Sequence, residues 1–134
     1  MRAASARPDP TAAIEPRTID DVLESARRRI SRLTSAEAQN AWRTGAVVVD
    51  IRPAAQRDAE GALPGALIIE RNVLEWRFDP SSDASLPIAD HDMQVIVVCQ
   101  EGYASSLATA SLQDVGIHQA TDVIGGYAAW RELL

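Results

Sequence analysis

The stretch QVIVVCQEGYASS, residues 94–106, decides how the rest of the chain is read. Val95-Ile96-Val97-Val98 is an unbroken β-branched run with no polar alternation. Such a run suits a strand buried on both faces, the place of a central strand in a parallel sheet. It ends on Cys99, the one cysteine of the chain. The loop Gln100-Glu101-Gly102-Tyr103-Ala104 follows, then Ser105 and Ser106. After them Leu107, Ala108, Ala110, Leu112 and Val115 recur at helical spacing. The thiol therefore stands between the carboxyl end of a central strand and the amino end of a helix, where open α/β sheets bind ligands. Loop amides and the helix dipole both favour a negatively charged sulfur at that point.

A lone cysteine at a strand end also has an ordinary reading, as a small buried hydrophobe. Gly102 weighs against it. A glycine three residues on lets the backbone fold back at positive φ, and the small residues after it let the loop close on the sulfur as an anion cradle.

Outward from this stretch, strands and helices alternate. Residues 46–51 form a second buried strand that delivers Asp50 and Arg52 to its carboxyl end. Pro53 begins a short helical piece, residues 61–66 make a turn, and residues 67–69 a short strand. Residues 71–78 form a helix with Val73, Leu74 and Phe78 on one side, and residues 79–92 a loop rich in proline and serine. A last strand spans residues 120–124, followed by a glycine turn and an amphipathic helix over residues 127–134. Toward the N-terminus, Thr18 offers an N-cap, and Ile19, Val22, Leu23, Ala26, Ile30 and Leu33 recur at helical spacing. Arg27, Arg28 and Arg29 lie near that helix's carboxyl end, as a solvated face compensating the dipole or as a site for an acidic partner. Thr34-Ser35-Ala36-Glu37 resembles a capping box opening a second helix, which carries Trp42 and ends at Gly45. This alternation implies an α/β fold with a central, mainly parallel sheet and helices on both faces. Residues 1–16 read as a disordered tail, residues 17–32 as a helical extension, and residues 33–134 as the domain proper, expected to fold without the extension.

A chain of 134 residues is one domain, long enough to bury a proper core. Its formal charge is −6, and all 13 basic residues are arginine. Seven arginines and five acids fall within residues 1–32, against six arginines and fourteen acids in the remainder. An acidic domain without a basic patch argues against nucleic acid as a partner. A single cysteine excludes an intramolecular disulfide and fits a reducing compartment. No apolar stretch approaches membrane-spanning length, and residues 1–16 lack the hydrophobic core of a signal peptide. The expected location is the cytoplasm.

Four blocks in order carry a family resemblance: VVVDIR at 47–52, GALPGA at 61–66, VIVVCQEGYAS at 95–105 and VIGGYAAW at 123–130. With them the chain from about residue 33 resembles a single rhodanese-like domain, the sulfurtransferase family. The resemblance implies a catalytic Cys99 that receives a sulfane sulfur as a persulfide and passes it to a nucleophilic acceptor. It also implies a binding loop, Gln100, Glu101, Gly102, Tyr103, Ala104 and Ser105, whose amides surround the sulfur. Asp50 and Arg52 are either an ordinary strand-end cap with a surface partner or, as the resemblance favours, braces for the loop. The implied partners are a small-molecule or protein-borne sulfur donor and a thiol acceptor, with no dissociable cofactor and no metal. Tyr103, an aromatic in a turn beside the thiol, is expected at the mouth of the site, and Trp42 and Trp130 in the core.

Three departures from the family pattern bear on the substrate. Gln56 and Arg57 stand where members often carry a Glu and an aromatic, and Gly61-Ala62 where they usually have GH. Ala104 stands where many have the arginine of a CxxGxR loop. With Glu101 adding negative charge instead, the dianion thiosulfate is expected to be a poor donor unless Arg52, Arg57 or Arg77 holds it. Other chemistries fit less well. A phosphatase on this fold needs C-x5-R, and the sixth place after Cys99 holds Ser105. A Cys–His hydrolase needs a base, and His91 and His118 lie apart in polar, loop-like surroundings. One Cys and two separated His give no metal-ligand spacing. A non-catalytic, regulatory binding domain is the alternative from another class.

Overall fold

The structure is a computed structural model that describes residues 15–134. Residues 1–14 of the expected tail lie outside the described residues. Helix α1 (Ile19–Arg29) starts at Thr18, whose hydroxyl accepts the Asp21 amide while the Asp21 carboxylate accepts the Thr18 amide. The helical spacing continued through Ile30 to Leu33, but the helix stops at Arg29. Ile30 is extended at φ −119°, ψ 151°, and Arg32–Leu33 forms strand β1. The reason is tertiary: β1 pairs in parallel with strand β5 (Gln119–Val123), Arg32 opposite Asp122 and Leu33 opposite Val123. Local periodicity carries no information about that partner, 90 residues away. The division drawn after residue 32 therefore falls inside a strand of the sheet.

Helix α2 (Ser35–Arg43) opens on Thr34 with a reciprocal cap to Glu37. Strand β2 (Val47–Asp50), helix α3 (Ala54–Glu60) and strand β3 (Leu67–Ile68) follow. A 3-10 turn, Arg71–Val73, runs into helix α4 (Leu74–Phe78). Strand β4 (Gln94–Val98), helix α5 (Ala104–Asp114), β5 and helix α6 (Gly126–Arg131) complete the chain. The five strands lie in the order β1-β5-β4-β2-β3, and every pairing is parallel.

Strand β4 occupies the middle, and Val95, Ile96, Val97 and Val98 have no solvent exposure. Alternation along it feeds two cores, one per face. Val95 and Val97, with Val49 of β2, pack against Leu74 and Phe78 of α4 and Ala108 and Leu112 of α5. Ile96 and Val98, with Val48, pack against Ala38 of α2 and Tyr127 and Trp130 of α6. Trp130 meets the partly buried Trp42 edge to face at 5.5 Å. Among the described residues no helix is long and apolar enough to cross a membrane. In a parallel sheet all carboxyl ends lie along one edge. Register places Asp50 beside Val98 and Val97 beside Asp122, so the two strands flanking β4 deliver polar groups to the neighbourhood of Cys99.

Candidate active site

Cys99 follows the last residue of β4 and is 7% exposed. Its Sγ accepts two backbone hydrogen bonds, from the Gly102 amide at 3.2 Å and the Ser105 amide at 3.3 Å. No side chain caps α5, and Ser105 is its second residue. The sulfur thus takes up one of the amides that a helix start leaves free, at the positive end of the dipole. Helix α6 holds the loop from the other side: the Tyr127 amide donates to the Cys99 carbonyl at 2.8 Å and the Ala128 amide to the Gln100 carbonyl at 3.0 Å. With those carbonyls engaged outward, the loop amides turn inward to the sulfur. Two glycines permit the close approach. Gly102 has φ +86°, and a Cβ there would lie 2.9 Å from the Val123 carbonyl oxygen. At Gly126, φ +60°, a Cβ would lie 2.5 Å from the Cys99 carbonyl oxygen.

Two buried charge networks brace the loop. In the first, Arg52, 1% exposed, grips Asp50 through Nε (3.0 Å to Oδ1) and Nη2 (2.8 Å to Oδ2). Its Nη1 donates to the Gln100 side-chain oxygen at 3.0 Å and its Nη2 to the Gly61 carbonyl at 2.9 Å. Its guanidinium carbon lies 3.9 Å from the centre of the Tyr127 ring. Arg52 is thus a buried tie between the second, third and fourth family blocks, not a surface partner of Asp50. The second network was not singled out from the sequence. Asp122, fully buried in β5, accepts Arg32 Nε at 2.9 Å and the hydroxyls of Ser105 and Ser106 at 2.7 and 2.8 Å. Arg32 and Arg27 both donate to the Gly102 carbonyl, at 2.9 and 2.8 Å. Gly102 is therefore fixed on one side by two arginines while its amide addresses the sulfur.

A cavity of about 600 Å³ opens over Cys99, lined by Gln100, Glu101, Tyr103 and Ala104 of the loop and by residues from two other segments. Tyr103 is 59% exposed at its edge, with Arg27 over its ring at 5.5 Å.

The family model of the Rhodanese-like domain matches residues 34–133. The chain belongs to the rhodanese-like family. The thiosulfate sulfurtransferase GlpE of Ectopseudomonas mendocina is 32% identical over 100 residues, covering 75% of this chain and 84% of the relative. The adenylyltransferase and sulfurtransferase UBA4 of Lodderomyces elongisporus is 35% identical over 88 residues; there the chain spans only 19% of the relative's length. Among solved structures, a protein of unknown function from Rhodopseudomonas palustris, described as a possible tyrosine phosphatase, is 31% identical with a TM-score of 0.80. That match covers 92% of this chain and 96% of the other. The human single-domain sulfurtransferase TSTD1, at 23% identity and a TM-score of 0.64 over 75% of this chain and 95% of its own, shares the fold.

Within this rhodanese-like site the expected residues divide by role. Ser105 turns its hydroxyl to Asp122 and offers the sulfur only its amide. Gln100 points its side chain to Arg52, while Glu101 is exposed and lines the cavity. Neither histidine is near the thiol. His91 bonds the Gly116 carbonyl beyond the far end of α5, and His118 lines a separate cavity with Arg29, Gln94 and Gln119. Of the arginines considered as anion holders, Arg57 donates to the Arg52 carbonyl and Arg77 to the Ala84 carbonyl. Arg71, not singled out from sequence, does line the cavity. Asp122 carried a weak sequence signal, the one acid inside the strand QATDV, whereas Arg32 and Arg71 carried none and Arg27 only that of a helix-end cation.

Proposed function

We propose that the protein is a sulfurtransferase working through a Cys99 persulfide. The observation that carries the reading is the pair of amides, from Gly102 and Ser105, aimed at a thiol sulfur at the end of the central strand. The Cys99 thiolate attacks the sulfane sulfur of a donor. The new Sγ–S bond forms as the donor's own bond to that sulfur breaks, and the donor leaves with the electron pair. An acceptor thiolate then attacks the outer sulfur, the Sγ–S bond breaks, and the Cys99 thiolate is restored. No external oxidant or reductant enters. Amides donating to a charged acceptor contribute about 1.5–3 kcal/mol each, and they are in place before the reaction. The amides of Glu101, Tyr103 and Ala104 make no hydrogen bond among the described residues, which leaves them for the outer sulfur. The donor is a small-molecule or protein-borne carrier of sulfane sulfur and the acceptor a thiol, and a free catalytic thiol of this kind belongs in the reducing cytoplasm.

A phosphatase reading, prompted by the description of the Rhodopseudomonas relative, lacks its essential cation. The place of the phosphate-gripping arginine holds Ser105, whose side chain is committed to Asp122. Intact mass after incubation with a sulfane donor tests the proposal. The expected result is a gain of one sulfur, removed by reductant, and no gain in Cys99→Ser. A wild type that stays uncharged with every donor would instead support a non-catalytic binding domain.

A further inference from the structure

We infer that Arg71 recognises the donor, taking the carboxylate of a small organic persulfide whose sulfane sulfur lies against Cys99; the inference rests on the sulfurtransfer reading above. Two arginines line the Cys99 cavity, Arg52 and Arg71. Arg52 has little left to offer an anion. Each of its side-chain nitrogens already donates, and its charge is met by buried Asp50. Arg71 is different. Only its Nη1 is engaged, by both Glu75 oxygens at 2.9 Å, and its side chain is 40% exposed. Among the described residues its Nε and Nη2 carry no partner. Glu75 is itself fixed by the Ser111 hydroxyl at 2.6 Å, so the guanidinium is tethered with one edge open. A planar fork held in this way suits bidentate binding of a carboxylate.

Position and volume narrow the donor further. Glu101 lines the same cavity two residues from Cys99, and it forms no ion pair with Arg71. Negative charge carried on the sulfur group itself, as in thiosulfate, meets Glu101. Negative charge carried on a carbon skeleton, away from the sulfane sulfur, meets Arg71 instead. The cavity, at about 600 Å³, is of the size that holds organic ligands and far exceeds a five-atom dianion. Ile51, Pro53 and Ala104 give it apolar wall for a carbon chain. In the charging step the Cys99 thiolate attacks R–S–SH at its outer sulfur, a Sγ–S bond forms, and the donor's S–S bond breaks with its electron pair going to the inner sulfur. R–S⁻ leaves and Cys99 carries the S–SH group.

The test compares N-acetylcysteine persulfide with its carboxamide, in wild type, Arg71→Gln and Arg71→Lys, following sulfur gained by Cys99. Wild type is expected to favour the carboxylate by about tenfold in kcat/KM, chiefly through KM, the size of a half-exposed charge-assisted contact. Arg71→Gln should treat the two donors alike, and Arg71→Lys should regain part of the preference. Because each ratio is taken within one variant, loss of folded protein does not affect it. A wild type indifferent to the carboxylate, or an Arg71→Gln variant that keeps the wild-type ratio, overturns the inference. Charging by thiosulfate alone overturns it too but leaves the sulfurtransferase reading standing. If no donor charges Cys99, that reading falls and takes this inference with it.

Discussion

At the scale of single residues, the site is stiff because its charges are buried in pairs. Arg52 and Asp50 have almost no exposure, and Arg52 reaches from just beyond the end of β2 to the Cys99 loop through Gln100. Taking away one partner of such a pair leaves the other charged, desolvated and unmet. Arg52→Ala is therefore expected to lose about 3–5 kcal/mol of stability, read from denaturant midpoints. It should also slow sulfur uptake in the fraction that stays folded, since Gln100 loses its tether. A loss within ~0.5 kcal/mol would mean that water reaches Asp50 and that the pair is no brace. The proximity of Asp50 to Arg52 was legible in DIR, because two residues of one strand end are neighbours whatever the fold. Their burial was not, because Tyr127 and Gly61, which cover the guanidinium, come from other blocks.

Among the elements, α1 and β1 decide how the back of the cradle is held. Arg27 from α1 and Arg32 from β1 converge on the Gly102 carbonyl, and Arg32 also neutralises Asp122. A chain beginning at residue 33 keeps the family match but leaves Asp122 with two hydroxyls and no cation. It is expected to be less stable by about 3–5 kcal/mol, and Arg32→Ala in the full chain should reproduce most of that loss in thermal or denaturant unfolding. A truncated chain as stable as the whole would show that the extension is dispensable. A second link joins α4 to α5 through Glu75. Burial pushes its carboxyl up, but hydrogen bonds from Ser111 and Arg71 and the charge of Arg71 outweigh that and hold it below its ordinary 4.5. A carboxyl lowered in the folded state stabilises the protein above its unfolded value and loses that contribution as pH falls through the folded one. The stability gap between wild type and Glu75→Gln should thus be full at about pH 6 and narrow below about pH 4.5. A gap that stays constant across that range would remove the link.

For the whole molecule, stability grades from the middle of the sheet to its edges. Ile96, in β4, is fully buried among residues from β2, α2 and α6, whereas Ile68, in β3, is exposed. Ile96→Ala is expected to cost about 2–5 kcal/mol, by lost transfer energy and the cavity left behind. Ile68→Ala should stay within about 0.5 kcal/mol. Equal costs in urea titrations would mean that the edge strand is covered in solution. This gradient matters for the site because Cys99 extends the most protected strand. Cys99 thus stands at the end of the most deeply buried strand, while much of the cavity wall comes from the segments that follow the strands.

What the chain alone determined is whatever depends on neighbours in sequence. The apolar run from Val95 to Val98 marked a strand buried on both faces. Thr18 and Thr34 marked helix starts, and Cys99 followed by Gly102 marked a loop turning back on a sulfur. Each signal is a local periodicity or a local backbone requirement, so it survives without knowledge of partners. What only the tertiary structure decided is long-range and electrostatic. The helical spacing at Ile30 and Leu33 gave way to β1 because β5 offered a parallel partner. Asp122 became the anchor of Ser105 and Ser106 because Arg32 arrived to neutralise it, and Arg71 entered the Cys99 cavity from the turn after β3. A charged side chain carries no periodic signature of what it will meet. Its role is set by which distant group shares its desolvated space, and that is fixed only when the sheet order brings the two together.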